Sequence, residues 1–316
     1  MILTVTLNPS LDEWLHLPAL RVGALNRATE FRRYPGGKGI NVSRVIRELG
    51  GSTVACALAG GADGHILAQL LHRLGVRLHC VPIVGTTRNN YKIRTQRPKA
   101  LTEINAAGPR ISSAALRRMQ HVILSRTPQR SAVVLSGSLP PGVPTATYRR
   151  WILALHRQRV PTFLDASGGA LRQGLAARPW AIKPNQQEAE ELLGRRLRGR
   201  HDMRHAVVDL LTRGPSLVIL SLGAEGAFMA CASRGTGHPA VWDARPPTVR
   251  VDSGVGAGDS LVGGFLAGWM QRRPLPEAFR LGVACGTAAV TTLGTELCHR
   301  ADVRRLLPRV WLRRVA

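Results

Sequence analysis

The sequence predicts a layered α/β fold with a mostly parallel central sheet. Short β-branched and aliphatic runs recur at residues 2–7, 53–58, 132–135, 162–164, 180–182 and 217–220. Between them lie segments with apolar residues at helical spacing: Ile66, Leu67, Leu70, Leu71 and Leu74, then Trp151, Ile152 and Leu155, and later Val207, Val208 and Leu211. This alternation is typical of parallel strands joined by helical crossovers. Ligands of such sheets bind at the carboxyl ends of the strands.

Two stretches interrupt the alternation, at residues 11–35 and 83–107, and both are irregular or strand-like and rich in polar side chains. We expect them to form a small β-lid that is inserted in the main unit. With no evident linker or internal repeat, the chain of 316 residues is expected to be one domain, residues 1–316.

Hydrophobic residues make up 44% of the chain and charged residues 20%, which is a globular composition. The five cysteines are widely spaced, and none forms a pair at metal-ligand or redox spacing. The first residues lack a basic, cleavable leader, and no apolar run approaches the roughly 18 residues of a membrane span. We therefore expect a cytoplasmic protein with reduced thiols and no membrane partner.

The formal net charge of +25 is what a nucleic-acid-binding protein would show. Lysine is rare, at positions 38, 92, 99 and 183, so 40 of the 44 cationic side chains are arginine. The arginines are spread along the chain without interleaved aromatic residues, which favours a compositional bias over a nucleic-acid surface. A basic nucleic-acid-binding module without catalysis remains the alternative from another class.

The strongest motif is Gly-Ala-Gly-Asp-Ser at residues 256–260, followed by an apolar helical run. The glycines allow a tight turn, and the free N–H groups of the following helix form an anion hole. An aspartate there would repel a bound anion, so Asp259 is expected to accept a proton from an attacking hydroxyl. The alternative is that Asp259 only caps its helix.

A second motif, Pro-Gly-Gly-Lys-Gly-Ile-Asn at residues 35–41, leads into an amphipathic helix. Its glycines bring the backbone close to a polyhydroxylated ligand, and Lys38 offers a charge to a phosphate. By itself this turn is weak evidence, and its spacing differs from that of a Walker loop.

The third motif is Lys-Pro-Asn-Gln-Gln-Glu at residues 183–188. Asn185 and Glu188 are suited to hold hydrated magnesium through oxygen ligands and water, although the same spacing also forms a helix capping box. Ser221, Gly223 and Gly226 end another predicted strand with a turn that could admit a nucleotide. Two further polar turns follow strands, one with Ser138 and one with Asp12.

In this order and spacing, the motifs resemble those of the PfkB family of carbohydrate kinases along nearly the whole chain. The resemblance implies a ribokinase-like three-layer sandwich with a β-lid, dependence on ATP and Mg²⁺, and a homodimer formed through the lid. It implies an ATP site near residues 183–295 and roles for individual residues. These roles are the catalytic base Asp259 with the anion hole of Gly256, Ala257 and Gly258; sugar contacts from Asp12, Gly36, Gly37, Lys38, Asn41 and Ser138; a phosphate grip by Arg88 with Lys92; ATP contacts from Lys183, Asn185, Ser221, Gly223, Gly226 and Gly258; and magnesium at Asn185 and Glu188.

Within the family, the segments at residues 6–12, 87–89, 102–105 and 136–142 resemble the hexose-phosphate branch. Residues 294–298 resemble the minor 6-phosphofructokinase, which makes fructose 6-phosphate the first expected substrate and fructose 1,6-bisphosphate the product. Lys38 is more typical of 1-phosphofructokinase and tagatose-6-phosphate kinase, and these stay open, as does a kinase of a nucleoside or unphosphorylated sugar. Residues 251–255 depart from the family pattern, which leaves a K⁺ site open.

Overall fold

The computed structural model describes residues 1–127, 131–232 and 238–316. The strands are β1 (Ile2–Thr6), β2 (Ser10–Leu17), β3 (Glu30–Gly36), β4 (Thr53–Ala59), β5 (Arg77–Pro82), β6 (Arg88–Thr95), β7 (Ala100–Asn105), β8 (Ala132–Ser136), β9 (Thr162–Asp165), β10 (Ala181–Ile182), β11 (Leu217–Ser221), β12 (Ala227–Cys231), β13 (Ala240–Arg245) and β14 (Trp311–Arg314). The helices are α1 (Lys38–Glu48), α2 (Gly61–Arg73), α3 (Ser113–Ser125), α4 (Thr147–Arg157), α5 (Gly168–Leu175), α6 (Gln186–Leu193), α7 (Gly199–Thr212), α8 (Ala257–Met270), α9 (Leu275–Ala289) and α10 (Arg300–Leu306).

Ten strands form one large sheet in the order β14-β13-β12-β11-β10-β9-β8-β1-β4-β5. The seven strands from β11 to β5 are parallel, while β12, β13 and β14 continue the sheet antiparallel. The predicted α/β class with a mostly parallel sheet is confirmed. All six predicted strand runs overlap an observed strand, whereas the antiparallel edge was not predicted.

Helices cover both faces of the large sheet, which explains why its parallel strands are apolar throughout rather than alternating. Leu3 and Val5 of β1 pack on one face with residues of α3, α4 and α7. Ile2 packs on the opposite face with residues of α1, α8 and α9. The result is a three-layer arrangement in which every strand end opens between two helical layers.

The segments predicted to form a lid contribute a separate four-stranded sheet, in the order β3-β2-β6-β7. Strands β2 and β6 are parallel, and the two outer pairs are antiparallel. An ion pair joins this sheet to the main body, because both terminal nitrogens of Arg94 on β6 contact the carboxylate of Asp252.

Helix α8 packs unusually close to its neighbours through glycine. A Cβ atom on Gly263 would lie 2.6 Å from Cβ of Val45 on α1, and one on Gly264 would lie 2.5 Å from Sγ of Cys285 on α9. Real Cβ atoms do not approach that closely, so glycine is required at both positions. This packing fixes the first turn of α8 against the first turn of α1.

Candidate active site

The site lies where the parallel strands end, as expected for this class of sheet. Asp165 is the last residue of β9, Lys183 follows β10 directly, and Ser221 ends β11. Helices α1 and α8 begin beside them, with Lys38 as the first residue of α1.

Asp259 lies in the first turn of α8 and is 8% exposed. The residue preceding the helix is Gly256, in the left-handed conformation with φ of 78°, and no side chain in the described part of the chain caps the helix. Asp259 therefore does not act as the cap. Its Oδ2 instead accepts a hydrogen bond of 2.8 Å from Nδ2 of Asn41.

The environment of Asp259 suits a proton acceptor. Burial raises the pKa of Asp259 to about 6, against the attraction of Lys38 and the bond from Asn41. A carboxylate with a pKa near 6 is mostly ionised at neutral pH and is a stronger base than an ordinary aspartate. The N–H groups of Gly258 and Asp259 belong to the first helical turn, which has no intrahelical acceptors, and so they are available to an anion.

Two lysines converge on the end of β9. Oδ1 of Asp165 lies 3.2 Å from Nζ of Lys38 and 3.4 Å from Nζ of Lys183. Burial acts to raise the pKa of Asp165, but the attraction of the two ammonium groups outweighs it and leaves the pKa below its ordinary value. The same carboxylate raises the pKa of Lys38 despite its burial.

Lys183 points toward the start of α8, because a Cβ atom on Gly258 would lie 3.5 Å from its Nζ. The structure thus brings two cations and the helix amides to within reach of one small space beside Asp259. Such a space favours the negative charge of a phosphoryl group.

Asp12, on the lid strand β2, contacts the glycine turn at residues 36–37. A Cβ atom on Gly36 would lie 2.6 Å from Oδ1 of Asp12, so only glycine leaves room for that carboxylate. Oδ1 also accepts hydrogen bonds from Ser10 at 2.9 Å and Asn90 at 3.2 Å. Gly37 has φ of 111°, which turns the chain into α1.

Arg88 lies at the start of β6, close to Asn8 and Ser138. Its guanidinium donates to the carbonyl oxygen of Ala106 at 2.6 Å and to that of Asn8 at 3.1 Å. Asn8 in turn donates to Oγ of Ser138 at 3.4 Å. The Nε–H group of Arg88 is buried and has no acceptor in the described part of the chain, so it remains available to a ligand.

Lys92 lies four residues after Arg88 on the same strand, β6, and it is 3% exposed. Its Nζ is 2.5 Å from Oε2 of Glu103 on the neighbouring strand β7. The cationic partner proposed for Arg88 is therefore already paired, and the structure does not bring it into the cluster around Asp259.

Asn185 and Glu188 form both halves of a capping box at the start of α6. Oδ1 of Asn185 accepts from the amide of Glu188 at 2.8 Å, and Oε2 of Glu188 accepts from the amide of Asn185 at 2.9 Å. This leaves Oε1 of Glu188 for another ligand, and the carboxylate is close enough to Lys38 to raise the pKa of that lysine.

The proposed nucleotide turn follows β11. Ser221 is bridged to Asn185, and Gly223 begins a short 3₁₀ helix that ends at Glu225. Gly226 has φ of 93°, and a Cβ atom there would lie 2.1 Å from the carbonyl oxygen of Ala244. Glycine is thus required for the turn itself, independently of any nucleotide.

Several buried polar atoms around the cleft lack a hydrogen bond among the described residues. They are Oδ1 of Asn8, Nε of Arg88, Oδ1 of Asn90, Oδ2 of Asp165 and Oγ of Ser260. Buried polar groups are normally paired, so a cluster of unpaired ones is consistent with a polar ligand site.

Two residues of the site were missed by the sequence reasoning. Asp165 carries the same signal as Asp12, an aspartate at the carboxyl end of a strand, and could have been found. Arg44 had no such signal, since an arginine on an amphipathic helix is ordinarily solvated. The structure instead places it 9% exposed beside Asn41.

Comparisons with known proteins agree with this geometry. The model of the pfkB family carbohydrate kinases matches residues 6–302. The chain is 36% identical to the 1-phosphofructokinase of Bacillus subtilis over 315 residues, covering 100% of both chains. It is 34% identical to the ATP-dependent 6-phosphofructokinase isozyme 2 of Mycobacterium tuberculosis, covering 96% of this chain and 88% of the relative.

Among solved structures, phosphofructokinase-2 of Escherichia coli in complex with substrates and products superposes with a TM-score of 0.92, at 34% identity and 98% coverage of both chains. The family model matches nearly the whole chain, and the relatives are more than 30% identical to it. The structure adds a buried carboxylate, that of Asp259, at the start of a helix. The chain therefore belongs to the pfkB family of carbohydrate kinases, phosphotransferases that act on an alcohol group.

Proposed function

We propose that the protein transfers the γ-phosphoryl group of ATP to the free primary hydroxyl of a fructose monophosphate. The observation that carries this proposal is the placement of Asp259 between the first-turn amides of α8 and the Asp12 side of the cleft. One end of the cleft thereby offers a proton acceptor and an anion hole, and the other offers polar groups for a sugar.

Asp259 accepts the proton of the attacking hydroxyl as the hydroxyl oxygen bonds to the γ-phosphorus of ATP and the bond from that phosphorus to the departing ADP breaks. The amides of residues 256–259 and the ammonium of Lys183 then stabilise the charge on the transferring group. Lys38 shares Asp165 with Lys183, so both ammonium groups are held in place before a ligand binds. This preorganisation lowers the cost of reorganisation during the reaction.

The sugar lies between Asp12 and Asn41 in this proposal, with Gly36 and Gly37 allowing close approach. Arg88 binds the existing phosphate, because its unused Nε–H and a remaining terminal N–H can form the bidentate bond that arginine makes to phosphate. Ser138 lies near the same point through Asn8.

The ATP site lies along Lys183, Ser221 and the turn of Gly223 and Gly226. The described residues contain no group of three or more His, Cys, Asp or Glu side chains that could hold a metal ion. Glu188 and Asn185 therefore fit magnesium that is bound largely through water and ATP. When bound, magnesium would neutralise part of the charge of the ATP phosphates.

A potassium site fits less well. One similar structure is phosphofructokinase-2 of Escherichia coli in complex with potassium. In this chain residues 251–255 contain one carboxylate side chain, that of Asp252, and both of its oxygens contact Arg94. That carboxylate is not free to bind a monovalent cation, so no role is assigned to one.

Fructose 1-phosphate and fructose 6-phosphate each carry a phosphate at one end and a primary hydroxyl at the other. A site with a cation at one end and a base at the other can accept either, and the product is fructose 1,6-bisphosphate in both cases. Lys38 and the full-length similarity to a 1-phosphofructokinase favour the 1-phosphate. The Gly-Thr-Glu-Leu-Cys run at residues 294–298 and the similarity to 6-phosphofructokinase isozyme 2 favour the 6-phosphate.

The test is ATP consumption by the purified protein with fructose 1-phosphate, fructose 6-phosphate, tagatose 6-phosphate and unphosphorylated fructose. We expect a kcat/KM for one fructose monophosphate at least about 100-fold above that for fructose, since a bidentate arginine–phosphate pair contributes several kcal/mol. Equal values for fructose and its phosphates would contradict the proposal.

We also propose a homodimer that forms through the outer face of the lid. The register of the lid sheet places Phe31, Tyr91 and Ile104 on one face, and they are 55%, 43% and 53% exposed. Clustered exposed apolar side chains on a sheet face are typical of a protein interface. One similar structure is a tetrameric inhibited form of phosphofructokinase-2 of Escherichia coli, so larger assemblies are outcomes of the same measurement.

A further inference from the structure

Arg44 lies one turn after Asn41 on α1, and its side chain is buried between the lid strand β3 and the segment at residues 295–296. Burial lowers the pKa of Arg44 to about 10, against the attraction of Asp12, Tyr34, Asp259 and Cys298. The side chain therefore stays cationic near neutral pH. A buried cation destabilises the fold unless it is well hydrogen-bonded, so the acceptors of this guanidinium indicate its role.

The guanidinium of Arg44 joins three segments of the chain. Nη1 donates to the carbonyl oxygen of Pro35 at 3.0 Å and to Oδ1 of Asn41 at 3.1 Å. Nη2 donates to the carbonyl oxygen of Thr295 at 2.8 Å. A planar guanidinium reaches these acceptors from two separate nitrogens, whereas the three N–H groups of a lysine ammonium radiate from one nitrogen and do not reproduce that geometry.

These bonds determine which way the Asn41 amide faces. Its oxygen accepts from Arg44, and its nitrogen donates to Oδ2 of Asp259 at 2.8 Å. The reversed amide would put its NH₂ group against the guanidinium and its oxygen against the carboxylate, which makes two repulsive contacts in place of two hydrogen bonds. Arg44 thereby fixes the donor that holds Asp259.

We propose that Arg44 is a positioning residue for the reaction: through the amide of Asn41 it orients the carboxylate of Asp259 toward the substrate hydroxyl and favours its ionised form. This inference rests on the proposed role of Asp259 as the base. The other charged groups that face Asp259 are Lys38 of α1, Lys183 after β10 and Asp165 at the end of β9. In the described part of the chain the side-chain hydrogen bonds of Asn41 are made to Arg44 and Asp259 rather than to these three groups, so the effect of Arg44 is separable from theirs.

The test compares Arg44→Lys with Arg47→Lys, a matched control on the same helix whose side chain is exposed. We expect Arg44→Lys to lower kcat by about 10- to 100-fold, because a small misplacement of a reacting group has effects of that size. Loss of the bond from Asn41 also destabilises the ionised carboxylate, so the acidic limb of the pH profile of kcat/KM should move to higher pH. Arg47→Lys should leave both quantities unchanged.

A double-mutant cycle separates this role from a general loss of structure. If Arg44 acts through Asn41, the double variant Arg44→Lys/Asn41→Ala should be no slower than Asn41→Ala alone, within about twofold. Effects that multiply, together with an unmoved acidic limb, would overturn the inference. Arg44→Gln, which keeps an amide donor without the charge, answers the same question if Arg44→Lys does not fold.

Failure of the inference is distinguishable from failure of the proposed function. Suppose that Asp259→Asn is inactive and that the acidic limb of the pH profile is unchanged in Arg44→Lys. Asp259 would then remain the base, and Arg44 would have no effect on it. An active Asp259→Asn variant would remove the base itself, and the inference with it.

Discussion

Replacement of Asp259 by asparagine is the most informative perturbation of this kinase. The change keeps the size of the side chain and removes the proton acceptor. A general base contributes about 10²- to 10⁴-fold, so kcat should fall by that factor. ATP affinity should stay within a few-fold, because the amides and Lys183 are untouched.

The same substitution should stabilise the fold, and its magnitude follows from the burial of Asp259. Burial raises the pKa of this group from 3.8 to about 6. Because the pKa of Asp259 is higher in the folded state than in the unfolded state, its protonated form stabilises the fold. This contribution is fully present below the unfolded pKa and is lost as the pH rises through the folded pKa. At 1.36 kcal/mol per unit, the ionised carboxylate costs the fold about 3 kcal/mol at pH 8 and about half of that at pH 5.

The assay is urea unfolding of the wild type and Asp259→Asn at pH 5 and pH 8, beside steady-state kinetics of both proteins. We expect the stability advantage of the variant to grow between pH 5 and pH 8 while its turnover collapses. Asp209→Asn, at an exposed aspartate of α7, is the control and should change neither quantity appreciably. Near-normal turnover, or a stability difference that does not depend on pH, would refute the reasoning.

Three further predictions concern substrate, packing and assembly. Arg88→Ala should raise KM for the fructose monophosphate by about 10- to 100-fold through loss of a charge-assisted pair; an equal rise for unphosphorylated fructose would contradict its role. Gly263→Ala should cost about 1–3 kcal/mol in urea unfolding through contact with Val45, and adding Val45→Ala should recover part of the loss, whereas Gly254→Ala, with open space around it, should be nearly neutral. Ile104→Lys should shift a dimer toward monomer in sedimentation measurements, and an unchanged mass would exclude this face of the lid.

The fold class and most of the residues around the site could be predicted from sequence patterns. Periodicity identified the strand runs, since burial on both faces requires continuous apolar strands. Glycine and aspartate at residues 256–259 marked the helix start, because tight turns and anion holes require particular residue types at fixed spacing. Asp165, at the carboxyl end of a predicted strand, could have been identified by the same reasoning.

Which polar side chains already have partners became clear only from the packing of the folded chain. Lys92 has a carboxylate partner that no local pattern indicates, because the register of β6 and β7 places it against Glu103. Asp252, in the segment between β13 and α8, similarly contacts Arg94 of the lid sheet, 158 residues away in sequence. Arg44 and Asn41 could not be linked to Asp259 by any local pattern, because 218 residues separate Asn41 from that carboxylate and only the packing of α1 on α8 brings them together. Local sequence patterns indicate what chemistry a residue can perform. Its actual hydrogen-bond and ion-pair partners depend on packing between segments that are distant in sequence.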